Sequence, residues 1–249
     1  MDVDHCEFPD DLFYDVGNDI WIRASTSSSS PGKGTAILGI TSVLSFLAGK
    51  FTKVNLRRAL NEVTCGQTIA TVESSKYFGP VRSPLSGKIK EFNEELVSNP
   101  RLANNDPYGA GWFAKYESYS AEDFTKLQRV PDAAYAISSR LKELKVRCFK
   151  ALPDDEMYSI GTECSTTLAN LNQLLEKRPD GSVVHLVTDD PMSDIEMIRW
   201  SDQTKNSVLE SRREGSLFHF IVKKEEEKRR EEASAKKRNE ASSKLLRRT

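Results

Sequence analysis

One lysine and one cysteine occupy settings in this chain that suit covalent chemistry, Lys76 between two β-type segments and Cys164 at the mouth of a helical one. Around the lysine, residues 67–92 interleave Ile69, Ala70 and Val72 with Thr and Glu on the left, and Ile89 and Phe92 with Lys and Glu on the right. Gly79, Pro80, Pro84 and Gly87 crowd the middle, which predicts a strand, an exposed turn and a returning strand with Lys76 at or beside the tip. Taken alone, such a lysine is an ordinary solvated charge. Cys164 precedes a stripe of Leu168, Leu171, Leu174 and Leu175 at helical spacing. A thiol there faces the unpaired N–H groups and positive dipole end of a helix, which favour the thiolate, the nucleophilic and sulfur-carrying form. Ser165 or Thr166 would cap the helix, while the neighbouring Glu163 charge opposes the thiolate.

Other chemistries find no support. His5, His185 and His219 are far apart in sequence and from any cysteine cluster, so no structural zinc site is expected, and His5-Cys6 reads as a chance pair near a mobile terminus. No catalytic triad, phosphate-cradling glycine loop or paired-carboxylate motif occurs. Cys6, Cys65, Cys148 and Cys164 lack Cys-x-x-Cys spacing and are too few for a disulfide scaffold. Reduced thiols are expected, with Cys65 structural or incidental. A formal net charge of −1 provides no field toward nucleic acid or a membrane surface. No apolar run reaches the ~18 residues of a spanning helix and the Met1-Asp2-Val3-Asp4 start is acidic, so a cytoplasmic protein without a membrane is expected.

Glu73-Ser74-Ser75-Lys76, followed by Pro84-Leu85-Ser86-Gly87, resembles the lipoyl-lysine hairpin of glycine cleavage H proteins. The wording Lys76-Tyr77-Phe78-Gly79-Pro80-Val81 looks most like the H-like lipoate-binding proteins associated with sulfur metabolism. The resemblance implies lipoate on Lys76 rather than biotin, since biotinyl domains flank their lysine with methionines and here the neighbours are Ser75 and Tyr77. Physically, a tether on a long side chain needs a rigid root, and a hairpin tip provides one. The likeness extends over about residues 8–116. It takes in Trp21, the Gly39-Ile40-Thr41 turn into a helix that Gly49 ends, and the Asn104-to-Trp112 turn before a last strand at 111–116. The family's usual His near the Trp is absent: Asn18-Asp19 stand there.

The elements that must hold these residues divide the chain in two, as 249 residues allow. Residues 8–129 are expected to form an H protein-like lipoyl domain, a β-rich barrel-sandwich hybrid with flanking helices. Its strands include 20–23, 36–40, 53–56 and 67–72. Thr41 caps a helix and Ser120 to Asp123 is a capping-box variant. Residues 130–152 form a helical connector with Ile137, Leu141 and Leu144 on one side. Residues 153–223 read β-α-β-α-β-β, a two-layer α/β sandwich in which Ile195 and Ile198 point inward, and residues 224–249 form a charged tail, helical or disordered. The Ser, Pro and Gly stretch at 25–34 is a loop. The order of 153–223, with Cys164 after the first strand and Thr188-Asp189-Asp190-Pro191 after the second, resembles the TusA-like sulfur carriers. Their Cys-Pro-x-Pro motif is here Cys164-Ser165-Thr166-Thr167, which keeps the cysteine and lacks both prolines.

These resemblances imply a carrier rather than an enzyme. A lipoyl arm on Lys76 would shuttle sulfur-bound intermediates or electrons in sulfur metabolism, with Cys164 as a candidate persulfide carrier whose effective concentration near the arm is raised by the fusion. Implied partners are a lipoate ligase or lipoyl transferase, a sulfur-oxidising heterodisulfide-reductase-like complex or sulfurtransferases, and dihydrolipoamide dehydrogenase. The alternatives are a glycine cleavage H protein carrying an aminomethyl group and a non-lipoylated interaction scaffold.

Overall fold

The computed structural model describes residues 1–25 and 34–226. The interior of the expected 25–34 loop and the tail beyond residue 226 lie outside the described residues. The chain forms two compact units, Met1–Cys148 and Phe149–Thr249.

The first unit opens with β1 (Asp2–Val3), β2 (Cys6–Glu7), β3 (Phe13–Asp15), β4 (Ile20–Ser25) and β5 (Thr35–Ile40). There follow α1 (Ser42–Ala48), β6 (Phe51–Leu56), β7 (Glu62–Val63), β8 (Thr68–Ser74), β9 (Phe78–Arg82) and β10 (Gly87–Phe92). The short α2 (Glu95–Ser98) and α3 (Leu102–Asn105), then β11 (Ala114–Tyr119), α4 (Ala121–Phe124) and α5 (Val130–Leu144), complete it. An antiparallel sheet in the order β3-β4-β5-β11-β10-β7 and a second, β6-β8-β9, share one core. Alternation explains the sharing: Ile20, Ile22, Leu38 and Ile40 of the first sheet meet Val54, Ile69, Val72 and Val81 of the second. Each such buried side chain is worth ~1.5–3 kcal/mol. The last strand starts later than expected, at Ala114.

A second core lies beneath α5, where Val130, Ala133, Ile137 and Leu141 pack with Phe8, Tyr14, Trp21 and Val43. The segment expected as a connector therefore belongs to the first unit as far as Cys148. Trp21 also donates its indole N–H to the Pro107 carbonyl at 2.9 Å, and the Tyr108 hydroxyl accepts from Ser42 N at 3.0 Å. The Trp21, Thr41 and 104–112 motifs, separated in sequence, thus meet in one place.

The cysteine expectation is overturned. Cys6 and Cys148 form a buried disulfide, with Cα atoms 5.0 Å apart and a sequence separation of 142 positions. The chain end expected to be mobile is fastened: β1 pairs with β2, Phe8 N donates to Met1 O at 2.9 Å, and Ser138 of α5 donates to Asp4 at 2.6 Å. Spacing rules do not reveal a partner that only the return of α5 brings alongside. Thr41 stands at the N-cap of α1 but makes no capping bond; its hydroxyl is buried without a hydrogen-bond partner. Ser120 does cap α4, accepting from Asp123 N at 3.3 Å, while the Asp123 carboxylate turns outward from the helix to accept from Ser86 N at 2.9 Å.

The second unit contains β12 (Asp155–Ser159), α6 (Cys164–Glu176), β13 (Val183–Thr188), α7 (Ser193–Thr204), β14 (Ser207–Glu214) and β15 (Leu217–Lys223). Its sheet runs β12-β13-β15-β14, with β12 parallel to β13 and the other pairs antiparallel. Leu171 and Leu175 of α6 and Met197 and Trp200 of α7 pack on Val184, Leu186, Phe218, Phe220 and Val222. Ile195 and Ile198, expected inward, are 47% and 67% exposed. The helix is turned so that Ser193, Met197 and Trp200 face the sheet, because burying Trp200 removes the larger apolar surface and its indole N–H finds Asn172 Oδ1 at 2.8 Å. His185 and His219, distant in sequence, lie on adjacent strands with ring nitrogens 2.9 Å apart, beneath Phe149.

Candidate functional site

Lys76 lies at the apex of the β8–β9 hairpin and is exposed. Its support is built from short-range bonds. Glu73 pairs with Phe78 across the ladder, and Ser74 N donates to Tyr77 O at 2.8 Å, so Ser75, Lys76 and Tyr77 project beyond the last pair. Ser74 Oγ accepts from Lys76 N at 3.2 Å and donates to the Ala48 carbonyl at 2.6 Å. That second bond uses a carbonyl left over at the C-terminal end of α1, and it ties the hairpin tip to the helix.

Gly49 follows α1 with φ +73°, a conformation that costs a side chain ~1 kcal/mol or more. A Cβ there would meet Lys76 Cε at 2.9 Å, so the aliphatic stem of the lysine lies along the bare glycine backbone. Asn104 fixes this joint from below. Its amide donates to the Gly49 carbonyl and to Ser45 Oγ, both at 3.0 Å, and its oxygen accepts from Phe51 N at 2.7 Å. The sequence marks Asn104 only as part of a turn; no local signal ties it to a lysine 28 positions away. At the other end of the hairpin, Gly87 lets β11 approach, since a Cβ would collide with the Ser118 carbonyl. Ser83 Oγ and Tyr116 Oη share a buried hydrogen bond of 2.6 Å there.

Tyr77 turns inward against the core while Phe78 turns outward, 70% exposed. Burial raises the Tyr77 phenol above its usual value; the Asp19 charge adds to this and Arg140 offsets part of it. Asp19, at the place of the absent histidine, pairs with Arg140 at 3.0 Å. Burial raises the Asp19 carboxyl even against this guanidinium. The pair lines a small cavity with Thr41, Tyr14 and Ile137.

Cys164 is the first residue of α6, with Glu163 at the N-cap and no side-chain capping bond. Ser165 and Thr166 fall inside the first turn and do not cap. The parallel pairing of β12 and β13 brings the start of α6 beside the 188–191 turn, where Gly161 N donates to Asp189 Oδ1 at 2.9 Å. This raises the Cys164 thiol instead of lowering it: burial is the largest cause, followed by the Asp190 and Glu196 charges. The opposition comes from those two carboxylates, not from Glu163. Cys65 is an exposed thiol that donates to the Pro84 carbonyl at 3.3 Å; burial and the Asp123 charge also raise it. Among the described residues no three His, Cys, Asp or Glu side chains converge on a possible metal position.

The first unit is therefore a two-sheet antiparallel domain that displays one lysine on a braced hairpin, the architecture of a covalent-arm carrier. Residues 14–140 match the family model described as glycine cleavage H-protein, and the chain belongs to that family. It is 32% identical over 146 residues to a probable glycine cleavage system H protein 2 from Sulfolobus acidocaldarius, covering 58% of this chain and 94% of the relative. It is 34% identical over 152 residues to glycine cleavage system H protein 5 from Aquifex aeolicus, covering 59% and 98%. It is also 32% identical over 144 residues to H protein 2 of the same organism, covering 57% and 86%. Members of the family are carriers rather than enzymes, and they hold lipoate covalently on a lysine. The family match ends inside the first unit. Among the described residues no helix is long and apolar enough to cross a membrane.

Proposed function

We propose that Lys76 is the lipoyl attachment site and that this chain is a lipoyl carrier of sulfur metabolism. The observation that supports this most is the exposed amine at the apex of β8–β9, braced through Ser74 to the end of α1. The residues present fit the group: nothing buries Nζ, the stem lies over Gly49, and the backbone beneath is held by Asn104. When bound, the lipoyl dithiolane supplies reversible thiol–disulfide chemistry on a long arm, and other proteins perform the reactions. The chain's own part is to keep the root fixed while the far end moves. Loading needs a lipoate ligase or lipoyl transferase, and reoxidation a dihydrolipoamide dehydrogenase-type enzyme; both follow from family membership.

Three features support sulfur over aminomethyl cargo: the Lys76-Tyr77-Phe78-Gly79-Pro80-Val81 wording, the absent histidine, and the second unit, read as TusA-like with Cys164 as its sulfur-carrying thiol. The relatives include H proteins 2, 3 and 5 of one organism, more than a single glycine-cleaving system needs, which supports a division of labour. Clients would be a heterodisulfide-reductase-like complex or sulfurtransferases. The aminomethyl alternative is favoured by the relatives' names alone. The raised Cys164 thiol weighs against spontaneous activation, so a sulfur-transfer role needs a partner that brings positive charge against Asp190 and Glu196.

Intact mass and peptide sequencing of the chain from its own cells test the first step: Lys76 should carry a lipoyl addition of ~188 Da, and Lys76→Arg should lack it. An unmodified Lys76 defeats the carrier reading. Cys164→Ser should keep the modification yet abolish transfer of labelled sulfur to or from the arm; retained transfer removes Cys164 from the pathway.

A further inference from the structure

We infer that Phe78 is the anchor by which the lipoylating enzyme grips this chain, an inference that rests on Lys76 being the attachment site. Phe78 is two residues from Lys76 and 70% exposed, whereas its neighbour Tyr77 packs against the core. Outside-facing positions of β9 alternate as Phe78, Pro80 and Arg82, all exposed, so Phe78 and Pro80 form an apolar strip that ends at the lysine. Across the ladder stand Glu73, opposite Phe78, and Thr71, opposite Pro80. The Glu73 carboxylate is engaged sideways by Lys53 at 3.6 Å and Asn55 Nδ2 at 3.3 Å, which leaves the phenyl ring as the prominent feature of this face. No ring or cation packs on Phe78 among the described residues.

An aromatic ring held in water on a rigid strand costs solvation free energy that a partner recovers, and aromatics are the residues that most often dominate interface energetics. The position of the ring identifies the occupant. Loading joins Nζ to the carboxyl carbon of lipoate in an amide; the amine gives up a proton and the activated carboxyl releases its leaving group, AMP where ATP is the activator. That bond forms at the root of the arm, so the enzyme must cover the hairpin tip, and its footprint includes a side chain two residues away. Enzymes that use the loaded arm meet its far end and need not touch this face. The surface fits the enzyme that makes the arm better than those that use it.

The test is steady-state loading of the full chain by a purified lipoate–protein ligase with lipoate and MgATP, read by intact mass. Phe78→Ser should raise the KM for the carrier at least about tenfold at unchanged kcat, Phe78→Leu should recover part of the loss, and Tyr135→Ser, removing an 86% exposed aromatic on α5, should change nothing. As a binding readout free of turnover, Lys76→Arg should inhibit loading of the wild type competitively, and Lys76→Arg/Phe78→Ser should do so at least about tenfold more weakly. Equal KM values for wild type and Phe78→Ser overturn the inference while leaving the lipoyl reading intact. A fall in kcat with KM unchanged also overturns it, since Phe78 would then place the lysine rather than hold the enzyme. Absence of lipoyl on wild-type Lys76, both here and in the native cells, removes the attachment reading and this inference together.

Discussion

Replacing both Cys6 and Cys148 by alanine should destabilise the first unit and leave the second unchanged. The bridge spans 142 positions, and closing a loop of that length removes ~17 cal/mol/K from the unfolded chain by the loop-entropy relation, or ~5 kcal/mol at 25 °C. Residual structure in the unfolded chain lowers the expected loss to ~3–5 kcal/mol. With a urea slope of ~1–3 kcal/mol/M, the midpoint of the first unit should fall by more than ~1 M. Tryptophan emission separates the units, since Trp21 and Trp112 belong to the first and Trp200 to the second. Adding reductant to the wild type should reproduce the shift, and under non-reducing denaturation alkylation should label two cysteines rather than four. Four labelled cysteines, or coincident midpoints for wild type and variant, would refute the reasoning.

Two further outcomes follow from the site. Gly49→Val should lower stability by ~1–3 kcal/mol, because a branched side chain is strained at φ +73° and its Cβ presses on Lys76 Cε; thermal melting measures the first effect and slower loading of Lys76 the second, and unchanged values in both would contradict the described joint. Cys164 should react with iodoacetamide only as pH rises above the ordinary thiol range, since burial and then the Asp190 and Glu196 charges favour the neutral form. Asp190→Asn/Glu196→Gln should move that pH profile downward, and a wild-type profile already below that of a free thiol would overturn the assignment of causes.

What could be read from the chain alone follows the range of the forces involved. Alternation over residues 67–92, the turn residues between them and the glycine at the end of α1 are local signals, so the hairpin, its apical lysine and the first helix were legible, as was the leucine stripe of α6. Contacts of long sequence range were not. Cys6 meets Cys148 because α5 folds back over the chain's first strands; Asn104 reaches Gly49 because α3 returns beneath α1; and His185 meets His219 because their strands are adjacent. The rotation of α7 is not legible locally, because isoleucines at i and i+3 are as apolar as the Met197 and Trp200 set, and only the competition to bury Trp200 beside Asn172 decides between them. The sequence by itself determined where an exposed amine would stand. Tertiary structure alone decided what braces it, which aromatic beside it faces water, and that burial, then carboxylates on a neighbouring turn and helix, raise the Cys164 thiol, because burial and electrostatics depend on what the fold sets side by side.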